Sequence, residues 1–93
     1  TTSPYRWQAV LVMHAPAREV ADEVPPSIGV VEPIDDDTCT VRIGSDDLDQ
    51  LAVWTAAFGF EFEVREPPEL AAHLARLTGR LDRAARRSGQ EPV

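Results

Sequence analysis

The stretch from Gly59 to Leu70, Gly-Phe-Glu-Phe-Glu-Val-Arg-Glu-Pro-Pro-Glu-Leu, constrains the fold of this chain more than any other. Phe60, Phe62 and Val64 alternate with Glu61, Glu63 and Arg65. A period of two predicts a strand with one apolar and one charged face. Pro67 and Pro68 stop it, because proline has no N–H to give to a ladder. The same prolines suit the first turn of a helix, where Glu69 complements the positive end of the helix dipole. A sheet strand therefore hands over directly to a helix.

Upstream, residues 5–14 predict a first strand, in which Ala9, Leu11 and Met13 alternate with Val10, Val12 and His14. Both sets are largely apolar, so a central strand covered on both faces is expected. Pro16 suits a helix start, and Ala17, Val20, Ala21 and Val24 follow at helical spacing until Pro25-Pro26 ends the helix. A short second strand over 29–34 leads through Asp35-Asp36-Asp37, a turn by composition, into a third strand over 38–43. There Cys39, Val41 and Ile43 share one face, and Thr38, Thr40 and Arg42 the other, so the two strands should pair as a hairpin. Ser45 or Asp46 is the expected N-cap of a second helix with Leu48, Leu51, Trp54, Thr55 and Phe58 inward and Gly59 at its C-terminal end. The last helix carries Leu70, Leu74, Leu77 and Leu81, spaced four, three and four residues apart. Strand, helix, strand, strand, helix, strand predicts the ferredoxin-like split βαβ arrangement, an α+β sandwich, with one additional C-terminal helix. In it two helices cover one sheet face and leave the other open.

Ninety-three residues, 43% of them apolar, suit a single globular domain near the lower limit for burying its own core. The chain opens on Thr1 rather than Met and carries no signal-like segment or membrane-length apolar run, so it is expected to be a piece of a longer, cytoplasmic protein. Cys39 is the only cysteine, which excludes an internal disulfide and fits a reducing compartment. The net charge is −7, unevenly placed. Residues 1–75 hold 14 acidic residues against 4 Arg, a net of −10, and residues 76–93 hold 5 Arg against Asp82 and Glu91, a net of +3. An acidic body disfavours non-specific nucleic-acid binding by this segment. There is no Lys, and the wealth of Ala and Arg points to a GC-rich bacterial genome.

Few residues suggest chemistry. The acidic runs at 35–37 and 46–49 lack the spacing and distal Glu of a calcium loop and read as turn and cap. His14 at a strand end and His73 far away on a helix surface make no pair. Cys39 alternates with core positions and reads as a small buried hydrophobe. No nucleophile elbow or phosphate loop is present. Iron–sulfur ligation and soft-metal transport on such a fold need more cysteines, and acylphosphatase-type hydrolysis needs an Asn, of which there is none. RNA-recognition motifs need stacking aromatics where the third strand offers Thr38, Thr40 and Arg42. No catalytic role, metal or cofactor is expected.

Four stretches, Val10-Leu11-Val12-Met13-His14-Ala15-Pro16, 31–39 (VEPIDDDTC), 45–54 (SDDLDQLAVW) and Glu66-Pro67-Pro68-Glu69-Leu70, carry a resemblance in their order and spacing. From Trp7 to about Arg86 the chain resembles the WCX domain, the C-terminal extension of bacterial WYL-domain transcriptional regulators. The resemblance implies a flexible end or linker from an upstream domain over 1–6, a ferredoxin-fold domain over 7–87 and a disordered tail over 88–93. It further implies a homodimer whose DNA contact is made only by an upstream helix-turn-helix, with a WYL domain between that senses an effector. No family catalytic site is carried over. The expected function is a regulatory and oligomerisation domain; the alternative is a small-molecule module akin to amino-acid-sensing domains, with its effector at a dimer interface. Thr40, Arg42, Glu61, Glu63 and Arg65 are the candidate ligand or partner face, Arg42 and Arg65 being its anion contacts. Leu70, Leu74, Leu77 and Leu81 are the candidate dimer-contact helix. The competing readings are a solvated face and ordinary core packing.

Overall fold

A computed structural model describes residues 5–90. Seven elements follow in the expected order: β1 (Trp7–Met13), α1 (Ala17–Glu23), β2 (Gly29–Pro33), β3 (Cys39–Ser45), α2 (Leu48–Ala57), β4 (Phe62–Glu66) and α3 (Pro68–Gln90). The chain is α+β. Its four strands form one antiparallel sheet in the order β2-β3-β1-β4. Since β3 runs against both β1 and β2, those two are parallel, with β3 between them and α1 connecting them. By the same argument β3 and β4 are parallel, with β1 between and α2 connecting.

The core sits on one sheet face. Ala9, Leu11 and Met13 of β1 and Cys39, Val41 and Ile43 of β3 are buried there, opposite Val20, Leu51, Ala52 and Leu70 from the three helices. Burying a side chain of the size of Leu51 or Leu70 contributes roughly 1.5–3 kcal/mol. β1 is central, but it is not covered on both sides as its apolar alternation suggested. Gln8 is exposed, Val10 and Val12 are half-buried, and neighbouring Glu32, Arg42 and Glu63 stand in solvent. Val10 and Val12 are shielded by long polar neighbours rather than by a second layer.

Local chemistry explains the boundaries. The turn between β2 and β3 is closed by Asp35, whose Oδ1 accepts from the Asp37 N–H (2.8 Å) and the Thr38 hydroxyl (2.7 Å). β3 runs two residues further than its hydrophobic pattern indicated, to Ser45, which displaces the cap of α2 to Asp47. Asp47 Oδ1 accepts from the Asp49 N–H at 2.9 Å, and the two residues expected to cap have other partners. Ser45 Oγ accepts from the Asp47 N–H and donates to Gln50 Oε1, while Asp46 Oδ1 accepts from the Arg6 N–H at 2.8 Å. Gly59 follows α2 with φ +85°, the left-handed conformation that glycine adopts without strain. In α1, Val20 and Val24 are buried but Ala21 is exposed. Between Val10 and Leu11 the β1–β4 register shifts, so that Arg65 bulges out of the ladder just before β4 ends at the prolines. The Glu66–Pro67 peptide is cis.

Helix α3 continues past Arg87 to Gln90, so residues 88–90 are helical rather than part of a tail; residues 91–93 lie outside the described residues. At the other end, Tyr5 and Arg6 are docked against Gly44 of β3 and against Asp46, whereas residues 1–4 lie outside the described residues.

Candidate functional site

Two surfaces stand out, the open face of the sheet and the far half of α3. The open face is built in register from all four strands. One row reads Glu32, Thr40, Val12, Glu63 across β2, β3, β1 and β4, and the next begins Val30, Arg42, Val10. The candidate residues occupy two separate places on it. Glu63 lies 2.9 Å from His14 Nε2 and 3.8 Å from Arg65 at the β4 side. Arg42 pairs through Nε with Glu32 Oε1 at 3.1 Å at the β2 side, and half-buried Thr40 lies between. Glu61 precedes β4, and its carbonyl accepts from the His14 N–H at 2.9 Å. Arg42 and Arg65 are therefore not neighbours; β1 runs between their strands. Each is beside a glutamate, and such exposed pairs contribute at most about 1 kcal/mol to stability.

At the β2 side the face is concave. A groove of about 290 Å³ opens there, lined among others by Tyr5, Gln8, Val10, Val30, Arg42 and Gly44. Two glycines make its walls possible. A Cβ on Gly44 would lie 2.7 Å from the Tyr5 ring, so the bare backbone lets that ring fold back over the sheet. A Cβ on Gly29 would meet Ile43 at 2.5 Å and the Arg42 carbonyl at 2.6 Å, so the 26–29 corner can approach from the opposite side. Sequence reasoning gave Tyr5 no part in a site, placing it at the start of the first strand and within the 1–6 linker. The placing of Val30 opposite Arg42 was recoverable from the hairpin pairing; the alignment of Val10 beside Arg42 and the return of Tyr5 onto Gly44 were not.

Helix α3 is divided along its length. Leu70 is fully buried, Leu74 and Leu77 pack against the core, and Leu81 is 57% exposed. His73 on this helix is mostly buried in the seam with α2, in ion-pair contact with Asp49, and its Nδ1 lies 3.4 Å from Arg76 Nη2. It is thus not a remote surface residue but part of the clamp between the two helices. Every residue from Arg80 to Gly89 is exposed. Arg76, Arg80, Arg83 and Arg87 repeat the four-three-four spacing of the leucines, which places them in a row on an adjacent helix face.

Two titrating groups are shifted. The Thr38 hydroxyl and then the Asp37 N–H hold the Asp35 carboxyl below its ordinary value, and burial pushes the Cys39 thiol up. Cys39 is fully buried at the sheet centre. Among the described residues no three His, Cys, Asp or Glu side chains gather as a metal site, and no helix is long and apolar enough to cross a membrane.

No solved structure matches the chain significantly. A family model does: the WCX domain matches residues 5–81, which spans β1 through the packed half of α3 and stops where the helix leaves the body. By that match this chain belongs to the WCX domain family.

Proposed function

We propose that this chain is the C-terminal regulatory and oligomerisation domain of a bacterial, cytoplasmic WYL-family transcriptional regulator, non-catalytic, pairing with a second copy and modulating the response to an effector. DNA contact belongs to a helix-turn-helix elsewhere in the regulator, an assignment favoured by the −7 charge of this segment. The fold we assign to the ferredoxin-like class. Its support is the pair of crossovers described above, each joining parallel strands around an intervening antiparallel one.

The observation that carries the pairing role is the far half of α3, which leaves the body with Leu81 exposed in line with the buried Leu70. A second copy supplies an apolar surface for Leu81 and acidic groups for the arginine row. Sedimentation of the chain tests it. The wild type is expected to dimerise and Leu81→Glu to be monomeric with an unchanged circular dichroism spectrum, because this side chain supports nothing in its own domain. A monomeric wild type, or a dimer indifferent to Leu81→Glu, overturns this contact.

A further inference from the structure

The groove beside Tyr5 combines three features: an apolar floor, an aromatic wall and a guanidinium. Its floor is apolar, from Val10 and Val30, which flank Arg42 in one cross-strand row. One wall is an aromatic ring seated on a side-chain-free residue, Gly44. That ring is positioned from both directions, by the close approach to Gly44 and by the Arg6 N–H bond to Asp46 in the next residue. A guanidinium lies at the lining, held from outside by Glu32 through Nε. Gln8 adds an amide in the row of Gly44.

We infer that this groove binds a small planar carboxylate. An aromatic or conjugated body lies with one face on the valine floor and one edge against the Tyr5 ring, where that face and edge leave water. Its carboxylate takes the planar guanidinium of Arg42, the geometry for which an Arg fork is suited. Gln8 is the positioning amide that can reach a second polar substituent. A volume of about 290 Å³ matches the body of a small metabolite. The site lies within one chain, unlike the dimer-interface site expected from amino-acid-sensing domains, so it is independent of the pairing proposed above.

The test is a titration of the 93-residue chain with sodium benzoate, followed through backbone amide resonances, with benzyl alcohol and acetate as comparators. Benzoate is expected to shift the amides of Gln8, Val30, Arg42 and Gly44 saturably at millimolar concentration. Benzyl alcohol, with the ring but no charge, and acetate, with the charge but no ring, should each bind more weakly. Arg42→Gln should weaken benzoate by about tenfold or more, as expected for losing a hydrogen bond to a charged group. Tyr5→Ala should weaken it as well, and an unchanged amide fingerprint of each free variant away from the groove shows that the fold is intact. Absence of saturation, shifts confined to other regions, equal binding of benzyl alcohol, or indifference to Arg42→Gln each overturns the assignment. Sedimentation of the same samples reports the dimer separately, so loss of one does not count against the other.

Discussion

Asp35 uses its carboxylate on its own turn, and this gives the hairpin a pH dependence of known sign. Its pKa is lowered below 3.8 in the folded chain, chiefly by the Thr38 hydroxyl and then by the Asp37 N–H. A depressed carboxyl contributes stability that is present above the unfolded value and is lost as pH falls through the folded one. Acid unfolding of the wild type should therefore include a step below pH 3.8 that Asp35→Ala lacks, read by circular dichroism during acid titration. At neutral pH the same variant should be less stable than the wild type, because the turn loses both hydrogen bonds. The leucines make a second comparison. Leu70→Ala removes a fully buried side chain and should cost about 2–5 kcal/mol in urea unfolding. Leu81→Ala should stay within about 0.5 kcal/mol of the wild type at protein concentrations where both are monomeric, although the sequence spacing treats the two alike.

That contrast shows where sequence reading is strong and where it stops. Alternation located the inward residues of β3 because the side-chain period of a strand is fixed, whatever lies around it. Cys39, Val41 and Ile43 needed no knowledge of partners. The α2 cap was misplaced by one or two positions because Ser45, Asp46 and Asp47 are all good capping residues. The choice among them depends on how far β3 pairs with β1, and Ser45 is drawn into the ladder opposite Trp7. In α3 the four-three-four spacing was legible, but the point where packing ends was not. The helix has no large apolar side chain after Leu81, but whether Leu81 itself packs depends on how far α2 and β4 extend beneath it. The candidate face was legible strand by strand, and its division into an Arg42–Glu32 part and a Glu63–His14 part required the sheet order. Tyr5 was out of reach for the same reason, since its position depends on a glycine on another strand.

At the scale of the molecule, whose longest extent is 51 Å, the charges are segregated between the body and the last helix. The body is acidic, and the arginines of α3 cluster where the helix leaves it. A 23-residue helix spans about 34 Å, far enough to carry those arginines beyond their own domain. Pairing between the basic end of one copy and the body of another gains Coulomb energy that salt screens over about 8 Å at physiological ionic strength. The dimer should therefore weaken as sodium chloride is raised, in sedimentation at constant protein concentration. A dimer that tightens or is unchanged with salt would place the contact on apolar surface alone.

The bulge in β4 has a consequence of another kind. Edge strands with regular, unpaired ladders are templates on which further chains add and fibrils grow. Here β4 has Arg65 pushed out of its ladder and a proline immediately after its end. On the opposite side β2 is only five residues long, ends in Pro33 and carries Glu32 in solvent. Neither edge offers a run of backbone groups for a newcomer strand. Crowded copies can thus meet through side chains and part again, without being recruited into a growing sheet.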